Sequence, residues 1–309
     1  MSTSVESKEN LKSAPEAPVL VLGISEWRAE ECDHDNIVKH LEAGDVLYFP
    51  SLPFVLKPDE AELLDPSLVS PKRKNIMYQA DKNEIRGTAD DISEAKKEAV
   101  KGLLKRYAEA SYKLLTDLIP EYKDKLHSPM NTLRLNAIDE WSDSHSFRKD
   151  DRRLHVDAFP SRPLHGKRII RIFNNINPSG VPRKWRVGEA FPDLAKRLLP
   201  QVKSYNSLGA TLLDTLQITK SRRTHYDHIM LQFHDIMKED QNYQDNGIQW
   251  EVNFMPGSTW ICFSDQTPHA AMSGQYMLEQ TFQLDVEDMV DSEKSPLKVL
   301  EKMVGKPLV

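Results

Sequence analysis

The pattern of apolar and polar positions separates a helical first third from a later part made of short strands. Between Asp91 and Leu118 apolar residues recur at helical spacing, with Asp91 and Glu94 as a capping-type start and Pro120 as the stop. Strand-like runs occupy residues 18–23, 46–49, 132–138, 154–158, 168–176, 248–254, 259–264 and 276–284, and further helical periodicity covers 190–199, 208–218, 226–237 and 295–304. We therefore predict the α+β class with a mainly β core, closed on itself and backed by helices.

The order of these elements divides the chain into four regions. Residues 1–17 are polar and without periodicity, which predicts a disordered tail. Residues 18–128 are expected to form a helical and irregular region packed on a barrel, residues 129–286 the barrel with helical inserts, and residues 287–309 a C-terminal helix. A length of 309 residues is compatible with two domains. The order of elements instead favours one functional domain.

Composition excludes several classes of protein. No run of 18 apolar residues exists, the polar start has no signal-peptide stretch, and two cysteines cannot form a disulfide framework. We therefore expect a cytoplasmic protein. The chain also has no glycine-rich nucleotide motif and no thiolate zinc motif.

The charge is unevenly distributed. The whole chain has a net charge of −6, which argues against a nucleic-acid partner. Residues 148–186, however, contain eleven basic and three acidic residues, a net charge of +8. This basic island indicates either a site for an anionic ligand or surface, or a solvated loop with scattered charges.

Histidines followed two positions later by an aspartate are candidate metal ligands. His155 with Asp157 and His225 with Asp227 both fit, and composition alone gives about 0.8 such matches by chance. Residues i and i+2 point to the same side of a strand but not of a helix. The first pair lies in a strand-like run, whereas the second begins a helical stretch. We therefore favour His155 and Asp157.

His269 is the natural third ligand, because it follows a strand and a short loop and so begins the next strand. The 111 residues between Asp157 and His269 leave room for the middle strands of a double-stranded β-helix, a jelly-roll or cupin-like barrel. Two histidines and one carboxylate form the facial triad that leaves three positions open on an octahedral iron. His228 and His234 lie on a predicted helix, where we expect packing or supporting roles.

Five segments of the chain strongly resemble the Kdo 3-hydroxylases, the iron(II)/2-oxoglutarate-dependent dioxygenases that act on the Kdo sugar of Gram-negative lipid A. The resemblance extends from about Val46 to Leu284. Its segments are HVDAFPSRP, RIIRIFNNINP, KWRVGEAF, YDHIMLQFHDIMKED and PGSTWICFSDQTPHAAMSGQYMLEQT.

The resemblance implies a metal centre and a reaction. His155, Asp157 and His269 would hold iron(II), with 2-oxoglutarate and dioxygen as cosubstrates. Carbon 3 of Kdo in Kdo-lipid A would be hydroxylated to give Ko, with release of succinate and CO2. The protein would work as a peripheral enzyme at the cytoplasmic face of the inner membrane. The alternatives are the same chemistry on another acidic sugar or lipid head group, and a barrel that binds metal or sugar without catalysis.

The residue that grips the far carboxylate of 2-oxoglutarate is an open question in the sequence. Many members of the broader superfamily place a base about ten residues after the distal histidine, but residues 277–281 contain none. Arg171 is the favoured candidate because it lies on a strand soon after His155 and Asp157. The alternatives are that Arg171 pairs with a structural acid, or that Arg168, Arg162 or Arg134 binds the carboxylate. The other predicted cosubstrate contacts are Asn175 and Gln280.

The resemblance implies a role for the basic island in binding the substrate, because Kdo is a sugar acid and lipid A carries phosphates. The predicted substrate contacts are Arg152, Arg153, Arg162, Arg186 and Arg222.

Overall fold

The computed structural model describes residues 17–138 and 146–309, whose strands form two sheets. The strands are β1 (Val19–Val21), β2 (Val46–Phe49), β3 (Ile76–Gln79), β4 (Glu84–Arg86), β5 (His127–Arg134), β6 (Arg168–Asn175), β7 (Arg183–Gly188), β8 (Gln249–Phe254), β9 (Thr259–Phe263), β10 (His269–Ser273) and β11 (Met277–Leu284). The larger sheet has the order β1-β2-β9-β6-β11-β5-β3-β4 and the smaller one β10-β7-β8. All pairs are antiparallel except β1 with β2.

Helices flank both sheets. In the described part of the chain they are α1 (His34–Ala43), α2 (Glu94–Leu118), α3 (Phe191–Leu198), α4 (Ser207–Thr215), α5 (His225–Glu239), α6 (Gln241–Asn246) and α7 (Pro296–Val304). None of these helices is long and apolar enough to cross a membrane.

Aromatic residues hold the two sheets face to face. Phe173 on β6 contacts Trp185 on β7 with ring centroids 5.0 Å apart. Phe254 on β8 stacks on Trp260 on β9 at 4.1 Å, and Trp260 is completely buried. Facing antiparallel sheets around such a core form the predicted jelly-roll barrel.

The helix α2 covers the outer face of the larger sheet. Its buried Tyr107 donates a hydrogen bond to the Ile172 carbonyl of β6 at 3.1 Å. Ser93 caps the helix by accepting from the Lys96 N–H at 3.3 Å, so the helix begins later than the predicted cap at Asp91. Serine is among the strongest N-cap residues, and here it satisfies a free backbone donor.

Residues 18–128 do more than pack on the barrel, because four of their segments are strands of the larger sheet. β1 and β2 extend one edge through β9, while β3 and β4 extend the other through β5. β3 and β4 have four and three residues, which is too short for their alternation to stand out in the sequence. Residues 1–16 of the predicted tail lie outside the described residues.

A second core lies under α3, α5 and α7. Phe233 of α5 and Leu300 of α7 are completely buried there, beside Leu154 and Val156. The C-terminal helix α7 therefore docks on the core. Asp227 closes a capping box with Thr224 at the start of α5, which explains why His225 and Asp227 do not form a metal site.

Candidate metal centre

His155 and His269 face each other across an isolated antiparallel bridge. The His155 N–H donates to the His269 carbonyl at 3.0 Å, and the His269 N–H donates to the His155 carbonyl at 2.8 Å. Residues 154–158 are therefore extended at this bridge but do not form the predicted strand. Asp157 lies two residues along, and its N–H donates to the Ser264 carbonyl at 2.8 Å. One ligand atom from each of His155, Asp157 and His269 lies within 4.8 Å of the others, so the structure brings the predicted triad together.

Both imidazoles are prepared to bind a metal through Nε2. His155 Nδ1 lies 2.7 Å from the Arg153 carbonyl oxygen, and His269 Nδ1 lies 2.9 Å from that of Thr267. A carbonyl oxygen only accepts, so each Nδ1 carries the proton and each Nε2 has a free lone pair. Burial lowers the pKa of both rings, which keeps them neutral at pH 7. Two neutral imidazoles and a carboxylate fit a ferrous ion.

Arg171 orients the third ligand. Its Nη2 lies 2.8 Å from Asp157 Oδ2, while Oδ1 of the same carboxylate is 3.9 Å from His155 Nε2. Burial alone would raise the pKa of Asp157, but the neighbouring guanidinium lowers it to about 2. Asp157 is therefore ionised at neutral pH, with one oxygen held by Arg171 and the other available to a metal.

A buried charge network extends behind the triad. Glu279 on β11 pairs with Arg171 and lies 2.6 Å from Arg134 Nη2. Arg134 also lies 3.4 Å from Asp151, which pairs with Lys74. Burial opposes ionisation of Glu279, but the two guanidiniums hold its pKa below the ordinary value. These cations are therefore already neutralised by protein carboxylates.

A cavity of about 610 Å³ opens beside the triad, and its wall is strongly cationic. Asp151, Asp157 and Asp235 are its acidic wall residues in the described part of the chain. Its basic wall residues are Lys74, Arg134, Arg148, Lys149, Arg171, Arg183 and Lys238. Its volume is in the range of sites that enclose small molecules, and its charge favours anionic ones.

Arg183 is a buried cation that has no acidic partner among the described residues. Its side chain is 3% exposed, and its Nε and Nη1 atoms have no hydrogen-bond partner there. Burial, and then the nearby charge of Arg134, lowers its pKa to about 9. Arg183 and Trp185 point into the barrel from β7, and Trp185 stacks on the His269 ring at 5.2 Å. The same period-two pattern is present in the sequence, where the segment stands out only through its charge.

The structure places the predicted cosubstrate residues differently from the expectation. Arg171 lines the cavity, but its contacts are with Asp157 and Glu279, which is the acid-paired alternative. Asn175 donates to the Phe254 carbonyl at 3.0 Å and does not line the cavity.

Gln280 lies on the opposite face of β11 from Glu279, because neighbouring strand residues point to opposite sides. It accepts from Asn131 Nδ2 at 3.0 Å. Arg168, one of the alternatives, is completely buried and pairs with Asp265 at 2.8 Å, away from the cavity.

The five predicted substrate arginines do not line this cavity in the part of the chain described. Arg152 pairs with Asp150 at 3.0 Å, Arg153 donates to Gln241 Oε1 at 3.0 Å, and Arg186 donates to the Gln244 carbonyl at 2.8 Å. Arg162 and Arg222 are exposed. Three of the five arginines thus have partners within the folded chain. A count of charges along the sequence cannot reveal such partners.

A jelly-roll barrel with two histidines and one carboxylate at its mouth defines a non-haem iron oxygenase class of site. The chain belongs to the 3-deoxy-D-manno-oct-2-ulosonic acid (Kdo) hydroxylase family, whose model matches residues 25–307. The family resemblance and the fold predicted from the sequence are both confirmed. No curated protein sequence matches the chain.

Solved structures of the Kdo hydroxylase KdoO, a non-haem Fe(II) α-ketoglutarate-dependent dioxygenase, are similar along nearly the whole chain. The cobalt(II) complex has a TM-score of 0.91 at 43% identity, covering 94% of this chain and 97% of that chain. The complex with α-ketoglutarate (2-oxoglutarate) and Fe(III) has a TM-score of 0.90 at 42% identity, with the same coverage. The complex with succinate and Fe(III) has a TM-score of 0.89 at 43% identity, again with that coverage.

Proposed function

We propose that this protein is an iron(II)- and 2-oxoglutarate-dependent dioxygenase that hydroxylates carbon 3 of Kdo. The observation that carries the proposal is the triad of His155, Asp157 and His269, with two free Nε2 atoms and one ionised carboxylate facing a cationic cavity. The similar KdoO structures with Fe(III) and α-ketoglutarate or succinate support the metal, the cosubstrate and the coproduct.

The protein's own part in the reaction is to hold and orient the reactants. Bound iron(II) supplies the activation of dioxygen, using electrons from 2-oxoglutarate as it is converted to succinate and CO2. Arg171 fixes Asp157 so that one carboxylate oxygen remains free, and the backbone carbonyls of Arg153 and Thr267 fix the two imidazoles. Phe173 and Trp185 supply apolar wall that limits water beside the metal ligands.

Arg183 is the residue we assign to the far carboxylate of 2-oxoglutarate. It is buried in the cavity wall and lacks an acidic partner among the described residues, whereas Arg134 and Arg171 are paired with Glu279. An unpaired buried guanidinium is stabilised by a carboxylate, which it can bind through two hydrogen bonds.

Lipid A as the carrier of Kdo, and the cytoplasmic face of the inner membrane as the place of reaction, are further parts of this proposal. Arg148 and Lys149 are exposed where they line the cavity, which suits phosphates beside the sugar. Leu216 and Ile218 are exposed apolar residues close in sequence to the exposed Arg222. Exposed apolar side chains with basic neighbours are typical of proteins that bind anionic membrane surfaces.

Mass spectrometry of Kdo-lipid A incubated with the protein, iron(II), ascorbate and 2-oxoglutarate tests the proposal. We expect a gain of one oxygen on the Kdo unit, and no gain with the His269→Ala variant. Succinate release without a mass gain would show that 2-oxoglutarate is consumed while Kdo-lipid A is left unreacted, and it would favour another acidic sugar or lipid head group as the substrate to test next. Absence of both from folded, iron-loaded protein would indicate a non-catalytic barrel. Flotation with anionic and neutral vesicles tests the membrane part separately.

A further inference from the structure

Lys238 is a second buried cation in the cavity wall. Its side chain lies near the C-terminal end of α5 and is 2% exposed. Its Nζ donates to the Arg148 carbonyl at 3.1 Å, and no carboxylate of residues 17–138 or 146–309 lies within 4 Å of it. Burying an ammonium is costly unless an anion accompanies it. The position of Lys238 therefore favours an anionic ligand.

This ammonium lies close to the metal centre. Lys238 and His155 line the same cavity. One turn earlier on α5, the His234 ring packs edge-on against the His155 ring with centroids 5.4 Å apart. The helix α5 thus places a positive charge beside the first metal ligand.

The family's substrate has an acid group beside the carbon that we expect to react. A 3-deoxy-2-ulosonic acid has its carboxylate on carbon 1, two bonds from the carbon that lacks a hydroxyl. When carbon 3 lies at the metal, the carboxylate must lie in the same part of the cavity. An anion of the substrate and an unpaired cation of the protein are then expected within reach of each other.

We propose that Lys238 binds the carbon-1 carboxylate of the sugar and so determines specificity for an acidic sugar. This inference rests on the proposed function and deepens it. The other cavity cations are less suitable, because Lys74, Arg134 and Arg171 are paired with protein carboxylates. Arg183, on β7, is already assigned to the far carboxylate of the cosubstrate.

The test compares a Kdo glycoside with its carbon-1 carboxamide as substrates for wild type, Lys238→Gln and Lys238→Met. Glutamine retains a donor for the Arg148 carbonyl but removes the charge. We expect the wild type to favour the acid by about 10- to 100-fold in kcat/KM, the usual effect of a hydrogen bond to a charged group. Lys238→Gln should lose most of this preference through a higher KM for the acid. Its affinity for 2-oxoglutarate, measured by calorimetry on protein saturated with Co(II), should be unchanged.

Several outcomes separate the possibilities. Equal turnover of acid and carboxamide by wild type would overturn the role of Lys238 while leaving the proposed function intact, whereas no turnover of the acid would overturn both. A weaker affinity for 2-oxoglutarate in Lys238→Gln would overturn the proposal by showing that Lys238 binds the cosubstrate and not the sugar. Lys238→Arg should restore the preference in part. Lys196→Gln, which removes an exposed lysine of α3, is the matched control and should retain it.

Discussion

Arg171 Nη2 and Asp157 Oδ2 lie 2.8 Å apart, so a carboxylate of the candidate metal site and a buried guanidinium form one ion pair. The two oxygens of the Asp157 carboxylate therefore have different neighbours. Oδ2 pairs with Arg171, and Oδ1 points toward His155. Arg171 also pairs with Glu279, so its observed partners are those of the acid-paired alternative. Loss of a group that orients a metal ligand in this way typically lowers metal affinity by about 10- to 100-fold.

Arg171→Met should weaken Co(II) binding by about 10- to 100-fold, because Asp157 would lose the group that orients it. Calorimetric titration of metal-free protein with Co(II) measures the effect. Unchanged Co(II) affinity together with a raised KM for 2-oxoglutarate would instead favour the original prediction that Arg171 grips the cosubstrate.

Arg183→Met should raise the KM for 2-oxoglutarate by about 10- to 100-fold, because a charge-assisted hydrogen bond to its carboxylate is lost. Co(II) affinity should be retained, which distinguishes this variant from Arg171→Met. Lys184→Met is the matched control, since Lys184 is the exposed neighbour on the same strand. An equal rise in the KM for 2-oxoglutarate in Arg183→Met and Lys184→Met would contradict the assignment of Arg183 to the cosubstrate.

Gly274→Ala should also raise the KM for 2-oxoglutarate, by about tenfold, through displacement of Arg183. Gly274 has φ +120°, and an added Cβ would lie 3.1 Å from Arg183 Cα and 3.2 Å from its Cγ. Gly180→Ala is the control, because Gly180 also has positive φ, at +76°, but an added Cβ meets nothing within 4 Å. Equal kinetics in the two variants would show that strain, and not contact with Arg183, is responsible.

The sequence predicted which three side chains meet in the triad, but it did not predict the partners of most arginines. The physical reason is the distance along the chain between the residues that pair. The alternation around His155 and Asp157, and the strand–loop–ligand order before His269, are patterns between residues close in the chain. The Arg171 pair with Glu279, by contrast, joins residues 108 positions apart, and only the register of β6 with β11 brings them together. Pairing across strands is set by the packed sheet, so a charge count along the chain could not find it.

Glu279→Gln should destabilise the metal-free protein by about 3–5 kcal/mol at pH 7, because it leaves two buried guanidiniums without their shared anion. The pKa of Glu279 is lowered by folding, so its stabilisation is complete above its unfolded value of about 4.3 and is lost as pH falls through the folded value. Urea unfolding at pH 7 and pH 3 measures both effects. The difference in free energy of unfolding between wild type and variant should be smaller at pH 3 than at pH 7. A difference that does not depend on pH would contradict the ionised state of Glu279.

The fate of dioxygen is the most direct test of the account. Wild-type protein with iron(II), 2-oxoglutarate and Kdo-lipid A under isotopically heavy dioxygen should place one heavy oxygen on carbon 3 of Kdo and one in succinate, in matched amounts. The His269→Ala variant should yield neither product. A heavy oxygen in succinate alone, with the sugar unchanged, would contradict the proposal that Kdo is the substrate of this site.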